Sequence, residues 1–155
     1  MYCSGVPAAS ALLLCVVVGI TDGDTLTARC GSAAGMPTQP IKVRLAQVDA
    51  PEHHQPFGAR SREHLAALCF KQHAEVRPIT GGGSFDRYGR VVAQVNCKGI
   101  DANAEQVRAG MAWVFDRYVT DRRLYALQDE AQAAHRGLWA DSRPVAPWDW
   151  RRGTR

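Results

Sequence analysis

Three short runs of the chain carry charged residues whose types and spacing suit one kind of chemistry. They are Asp22-Gly23-Asp24-Thr25, the run from Arg44 to Glu52, and the run from Asp86 to Arg90. Each run lies at the end of a predicted strand, so its carboxylates and arginines can project from neighbouring loops. Together they provide what is needed to hold a hard cation against a phosphodiester and to hydrolyse it. No single run carries this interpretation, but the set of three does.

The carboxylates predict a calcium site. Asp24 follows a turn and Asp49 ends a strand, so both can point into a common space. Calcium takes six to eight oxygen ligands at about 2.3–2.6 Å, and two aspartates with the backbone carbonyl of Ala50 would form a partly hydrated site. The alternative is that Asp22 and Asp24 only form a turn, a role that aspartate commonly fills. An EF-hand is excluded because its acidic loop with a closing glutamate is missing.

Two arginines and a glutamate complete the candidate site. Arg44 lies on the strand face opposite the apolar residues, and Arg90 enters a strand after a Tyr-Gly turn. An arginine can bind two phosphate oxygens through its rigid fork, although either residue could also be an ordinary surface arginine. Glu52 follows Pro51, which restricts the backbone, so this carboxylate is held where it can activate water as a general base. The alternative for Glu52 is an exposed loop residue.

The elements that position these residues form a small α+β domain. Val16 to Thr21 and Thr25 to Cys30 flank an Asp22-Gly23 turn, which is a strong hairpin signal. Hydrophobic patterning predicts further strands over 41–45, 75–79 and 91–97, and helices over 59–70, from Asp101 or Asn103 to 110, and 121–136. The last helix has an apolar stripe of Leu124, Leu127, Ala131, Ala134 and Leu138. The simplest arrangement is a five-stranded barrel with three helices packed on it.

Length and composition are those of a globular protein with one domain. The 155 residues carry a net charge of +4, which favours a polyanionic partner but does not by itself identify nucleic acid. We divide the chain into a leader or disordered tail over 1–14, a domain over 15–140 and a C-terminal tail over 141–155. The apolar run over 11–18 is too short to span a bilayer.

The cysteines suggest two disulfides. Cys15 and Cys30 each lie seven residues from the Asp22-Gly23 pair, so the hairpin would bring their sulfurs together. Cys69 and Cys97 could form a second bridge, and Cys3 is left over. No spacing is Cys-x-x-Cys, which argues against a zinc or redox site. Two bridges would place the protein in an oxidising compartment, either secreted or periplasmic. Four buried free thiols in a cytosolic protein are the alternative.

The motifs resemble one known family. The three charged runs, together with Val107 to Ala112 and Gly137-Leu138-Trp139, closely resemble the staphylococcal nuclease (thermonuclease) family, in order from Cys15 to Trp139. The resemblance implies an OB-fold five-stranded β-barrel capped by three α-helices. It also implies calcium-dependent cleavage of DNA and RNA to 3′-phosphate products.

The resemblance also implies site residues, matched position by position. Metal ligands would be Asp24, Asp49 and the carbonyl of Ala50; catalytic residues would be Arg44, Glu52 and Arg90; nucleotide contacts would be Tyr88 and Tyr118. The chain departs from the family pattern in three places. Ala50 stands where the prototype has threonine, the loop after Glu52 is shorter, and Asp116 replaces a tyrosine near the nucleotide base.

Three functions are compatible with this sequence. The first is a Ca²⁺-dependent nuclease with DNA and RNA as substrates, preferring single-stranded or unpaired regions, with no membrane and no obligate protein partner. The second is a catalytically inactive OB-fold module that binds nucleic acid. The third is a disulfide-bonded surface adaptor that binds protein. The nuclease is favoured because a binding module has no reason to keep two arginines and three carboxylates together.

Overall fold

The computed structural model describes residues 12–31, 39–79 and 86–153. Nearly all of the predicted leader, including Cys3, lies outside these ranges. The sequence also predicts a loop over 31–40, which is rich in Gly, Ser, Ala and Pro, and a flexible tip at Gly81-Gly82-Gly83-Ser84. Most of the loop and all of the tip lie outside the described ranges as well.

The described residues contain eight strands. In chain order they are β1 Leu13–Asp22, β2 Thr25–Cys30, β3 Pro40–Leu45, β4 Val48–Asp49, β5 His73–Pro78, β6 Val91–Cys97, β7 Ile100–Asp101 and β8 Trp113–Val114. The main sheet has the order β3-β2-β1-β5-β6-β7, and parallel pairing of β3 with β6 closes five of these strands into a barrel. Strands β4 and β8 form a separate two-stranded sheet. The predicted α+β five-stranded OB-type barrel is confirmed.

In the part of the chain that the structure describes, four helices accompany the barrel, one more than the sequence predicts. They are α1 Gly58–Cys69, α2 Ala102–Arg108, α3 Arg123–Ala133 and α4 Pro147–Arg151, and a 3₁₀ turn covers Gly137–Ala140. Helix α4 lies in the segment that the sequence assigns to a C-terminal tail over 141–155. None of the helices in the described ranges is long and apolar enough to cross a membrane.

The first hairpin turns one residue later than predicted. Asp22 pairs with Thr25, so the turn residues are Gly23 and Asp24 rather than Asp22 and Gly23. Strand β1 also begins at Leu13, inside the stretch assigned to the leader. The pairing shifts twice along β1, and these irregularities move the centre of the hairpin toward Asp24.

Both predicted disulfides are present. At the far end of the first hairpin Cys15 pairs directly with Cys30 and is bonded to it. The second bridge joins Cys69, the last residue of α1, to Cys97, the last residue of β6. It therefore fastens one of the packed helices to the barrel.

The core follows the predicted alternation of the strands. The largest fully buried apolar side chains are Val17, Leu26, Val43, Leu45, Val48, Leu65, Val76, Val95, Val107 and Val114. The predicted stripe of the last long helix is only partly correct. Leu124, Ala131 and Leu138 are buried, but Ala134 is exposed because α3 ends at Ala133 and the chain turns away.

Buried polar side chains hold the Gly23–Asp24 turn against the helices. The amide of Gln106 in α2 donates to the carbonyl oxygens of Gly23, at 2.6 Å, and of Ser61, at 3.1 Å. The hydroxyl of Ser61 in α1 donates to the carbonyl of Met111 at 2.6 Å. Gln106 and Ser61 are fully buried, so these bonds fix the turn relative to both helices.

We predict that Gly23→Ala destabilises the fold. A Cβ at this position would lie 1.7 Å from Ser61 Oγ and 3.0 Å from Ala50 Cβ, so the turn would have to move. The expected loss in the free energy of unfolding is about 1–3 kcal/mol, measured by urea titration of tryptophan fluorescence. Gly31→Ala is the control, because no described atom lies within 4 Å of a Cβ there. Equal stabilities of the two variants would contradict the close packing of the turn.

Candidate active site

Asp24 is fixed by backbone and side-chain hydrogen bonds in the first hairpin turn. Its Oδ2 accepts the N–H of Ala50 at 2.8 Å, and its Oδ1 accepts the hydroxyl of Thr25 at 2.9 Å. Its own carbonyl accepts the N–H of Leu45 at 2.8 Å. The carboxylate therefore joins the hairpin to the chain that follows β4, and it is more than a turn former.

Arg44 brings the two predicted metal ligands together. Its Nη1 donates to the carbonyls of Leu45, at 2.6 Å, and Val48, at 2.7 Å, and this fixes the guanidinium against the backbone. Its Nη2 lies 3.2 Å from Asp49 Oδ1 and 3.6 Å from Asp24 Oδ2. Two carboxylates that are 25 positions apart in the sequence thus meet at one nitrogen atom.

Asp49 is the most deeply buried of the charged site residues. It lies on β4, where it pairs with Trp113 of β8, and its side chain is only 2% exposed. Burial raises the pKa of Asp49 to about 6, against the lowering effects of the hydrogen bond from Arg151 and the charge of Arg44. Burial also raises the pKa of Asp22, and the charges of Asp24 and Glu52 add to the effect.

Glu52 is joined to Asp49 through an arginine of the C-terminal helix. Arg151 Nη1 donates to Glu52 Oε1 at 2.6 Å, and Arg151 Nη2 donates to Asp49 Oδ2 at 2.7 Å. The N–H of Glu52 also donates to Gln55 Oε1 at 3.0 Å. We call Asp24, Asp49 and Glu52 the acidic cluster. Arg44 and Arg151 are the two guanidiniums bonded to it.

Sequence reasoning missed Arg151 because it treated residues 141–155 as a tail. One signal was present. The run Pro147-Trp148-Asp149-Trp150 has two large aromatic residues within four positions, which is unlike a solvated tail. Gln55 was missed as well, and nothing in the sequence distinguishes it from a loop glutamine.

Arg90 lies at the start of β6 and is held by a neighbouring acid. Its Nε donates to Asp86 Oδ2 at 2.8 Å, and its backbone N–H donates to Asp86 Oδ1 at 2.9 Å. Burial tends to raise the pKa of Asp86, but these bonds outweigh it and lower the pKa overall. Val92, two residues further on, pairs with Arg44. Arg90 therefore enters the barrel beside the strand that carries Arg44, although its described contacts are not with the acidic cluster.

The two predicted nucleotide-binding tyrosines are exposed. Tyr88 is 67% exposed, and the guanidiniums of Arg87 and Arg90 lie 5.0 and 5.1 Å from its ring centre. Tyr118 is 57% exposed and packs edge-on against Phe115. Asp116 accepts the hydroxyl of Tyr125. Both rings are thus exposed at the surface, and each already lies against an arginine side chain.

The donor set of the acidic cluster fits a hard cation. Carboxylate and carbonyl oxygens are the ligands that calcium prefers, and Asp24 and Asp49 face the same nitrogen of Arg44. In the described ranges, no group of three or more His, Cys, Asp or Glu side chains is arranged to hold a metal alone. The backbone carbonyl of Ala50 and water would therefore have to complete the coordination of an ion.

Comparison with known proteins shows which sequences the chain is similar to. A family model described as staphylococcal nuclease homologue matches residues 42–141. An uncharacterized endonuclease of Haemophilus influenzae is 43% identical over 138 residues, which cover 89% of this chain and 72% of the relative. A protein named micrococcal nuclease, from Shigella flexneri, is 39% identical over 150 residues, covering 90% of this chain and 80% of the relative. An uncharacterized endonuclease of Escherichia coli is 39% identical over 136 residues, which cover 87% of this chain and 82% of the relative.

We predict that Asp49→Asn stabilises the metal-free protein at pH 8. Because the pKa of Asp49 is raised from 3.8 to about 6 on folding, the folded state binds this proton more tightly than the unfolded state. The ionised carboxylate therefore lowers the free energy of unfolding as the pH rises from about 4 to about 6. The expected gain for the variant is about 1–3 kcal/mol at pH 8, disappearing near pH 4.

Urea unfolding in chelator at several pH values measures this difference. Asp129→Asn, at an exposed position of α3, is the matched control and should show no such pH dependence. A variant at position 49 that is less stable than wild type at pH 8 would show that the two arginines already compensate the charge.

Proposed function

The chain belongs to the staphylococcal nuclease family, and from this premise we propose that it is a calcium-dependent nuclease acting on DNA and RNA. In this proposal it hydrolyses phosphodiester bonds by in-line attack of water and leaves 3′-phosphate products. The observation that carries the proposal is the meeting of Asp24, Arg44 and Asp49 at one point, with Glu52 joined to them through Arg151. Carboxylates and guanidiniums so placed can serve a metal-assisted hydrolysis.

Asp24, Asp49 and the carbonyl of Ala50 would hold the cation. When bound, calcium would polarise the phosphate and stabilise the negative charge that develops on its oxygens. Glu52 would take the proton of the attacking water. Its side chain is 38% exposed, and it is held by Arg151 and by the restricted backbone at Pro51, so it can reach water without losing its orientation.

Arg44 and Arg90 would bind the scissile phosphate. Both are already anchored, Arg44 by two carbonyls and Arg90 by Asp86, so neither has to be ordered during the reaction. Donors fixed in advance around a developing charge lower the barrier more than mobile ones do. Removing one such donor typically costs a factor of about 100 to 1,000 in rate.

We propose that single-stranded or unpaired regions are the preferred substrates. The exposed rings of Tyr88 and Tyr118 support this, because a base can stack on them only when it is unstacked from its neighbours. The proposal includes neither a membrane nor an obligate protein partner. The two disulfides favour an oxidising compartment, so we propose that the protein is secreted or periplasmic.

One observation favours the second candidate, an inactive module that binds nucleic acid. Arg151 bonds to both Asp49 and Glu52, and a permanent contact of this kind would keep two acids from catalysis. Activity of the wild-type protein decides between the two functions.

We predict that the wild type digests DNA with calcium and not with a calcium chelator. Glu52→Gln keeps the shape of the side chain but cannot take a proton, so we expect kcat to fall about 100- to 10,000-fold. Release of acid-soluble nucleotides measures the rate, and Glu75→Gln, at an exposed position of β5, is the control. Digestion that is indifferent to calcium would contradict the mechanism, and a fully active Glu52→Gln would remove the role given to Glu52.

A further inference from the structure

Helix α4 is firmly docked beside the acidic cluster. The backbone carbonyl of Val145 accepts the amide of Gln55 at 2.5 Å, which ties the approach to α4 to the loop that follows Glu52. Ala146 and Pro147, where the helix begins, are buried. The ring of Trp148 is stacked on Phe115, with the planes 2° apart and the centres 5.4 Å apart. The helix is therefore held by a hydrogen bond, apolar burial and aromatic stacking.

This docking places one guanidinium at the mouth of the site. Arg151 is 41% exposed, whereas Arg44 is only 12% exposed and Asp49 2%. Arg151 also lines an open cleft of about 360 Å³, together with Phe115, Trp148 and Arg152. Asp116 and Arg117 line the cleft as well, and Arg151 is the lining residue that also bonds to Asp49 and Glu52 of the acidic cluster.

The contacts of Arg151 use the N–H donors of Nη1 and one N–H donor of Nη2. Nη1 donates to Asp49 Oδ1, at 3.3 Å, and to Glu52 Oε1, while Nη2 donates to Asp49 Oδ2. These contacts use three of the five N–H donors of a guanidinium. Within the described ranges, the Nε–H and the second N–H of Nη2 have no acceptor. These two parallel donors form one edge of the guanidinium plane, which is the geometry that binds two phosphate oxygens.

Charge also favours a phosphate at this edge. Asp24 Oδ2 and Asp49 Oδ1 lie 3.6 and 3.2 Å from the same nitrogen of Arg44, so the two carboxylates are close neighbours. A phosphodiester cannot approach such carboxylates without a cation between them. Both Nη atoms of Arg44 already contact the backbone or the carboxylates. Arg151 is also the more exposed of these two arginines, so it is the one that a phosphate can reach more easily.

We propose that Arg151 is a phosphate-binding residue of the active site, supplied by the C-terminal helix. It orients Asp49 and Glu52 with one edge of its guanidinium and binds a phosphate of the substrate strand with the other. The C-terminal segment is thus part of the catalytic machinery. This inference rests on the proposed function, because the ligand it names is the substrate phosphodiester.

The test compares Arg151→Ala with Arg143→Ala. Arg143 is an exposed arginine of the same segment, so its removal changes the net charge equally and leaves the site intact. The probe is a fluorescein-labelled single-stranded oligonucleotide with hydrolysis-resistant phosphorothioate linkages, titrated in calcium at several salt concentrations. Losing one phosphate contact on a single strand makes the slope of log K against log salt shallower by about 0.7. We expect this change and about tenfold weaker binding for Arg151→Ala, and neither change for Arg143→Ala.

Arg151→Lys separates the charge of Arg151 from the geometry of its guanidinium. The variant keeps the charge, so it should keep the salt slope of the wild type. It should nevertheless lose at least tenfold in kcat, because an ammonium cannot bind two carboxylates and a phosphate through two edges. Equal salt slopes for Arg151→Ala and Arg143→Ala would overturn the proposal, and so would a fully active Arg151→Lys.

The oligonucleotide assay also separates this inference from the proposed function. If the wild type binds the probe with the expected dependence on Arg151 but cleaves no nucleic acid, the proposed nuclease activity is wrong and the proposed phosphate contact of Arg151 is supported. If the wild type cleaves nucleic acid and the salt slope does not depend on Arg151, the proposed nuclease activity is supported and the proposed phosphate contact is wrong.

Discussion

An ionised carboxylate that is withdrawn from water must be compensated by nearby positive charge, and the position of Asp49 imposes this requirement on the protein. Its side chain is 2% exposed, and its two oxygens are bonded to Arg44 and Arg151. Arg44 comes from the barrel strand β3, and Arg151 comes from helix α4, 102 residues after Asp49. The barrel, the small β4–β8 sheet and the C-terminal segment must therefore all be in place before this one group is compensated.

The compensation is incomplete, which is typical of a site shaped by function. Burial still raises the pKa of Asp49 to about 6 despite two arginines, and the carboxylate of Asp24 lies close to the same nitrogen of Arg44. A structure selected only for stability would replace such a cluster with apolar residues of similar size. In the proposed function, the excess of negative charge in the acidic cluster would attract a cation, and the guanidiniums around it would bind an anion.

Much of the fold could be predicted from local signals. The alternation of apolar residues predicted β3 and β6, and the positions of the cysteines suggested both disulfides. The charged runs singled out Asp24, Arg44 and Asp49, which lie together in the structure. The Gly23–Asp24 turn was misplaced because irregular pairing in β1 leaves no signature in the sequence. Helix α4 was missed because five residues with two prolines nearby form no periodic pattern. Long-range contacts hold it, among them the bond of Gln55 to Val145 and the stacking of Trp148 on Phe115. Arg151 was missed with it.

Anomalous diffraction from crystals grown with Tb³⁺, a luminescent and strongly scattering substitute for Ca²⁺, tests most directly whether these distant parts of the chain form one ion site. The account predicts a single strong peak with carboxylate oxygens of both Asp24 and Asp49 at about 2.3–2.6 Å, the range for calcium in proteins. A peak bound elsewhere on the surface, or no peak at the acidic cluster, would contradict the account.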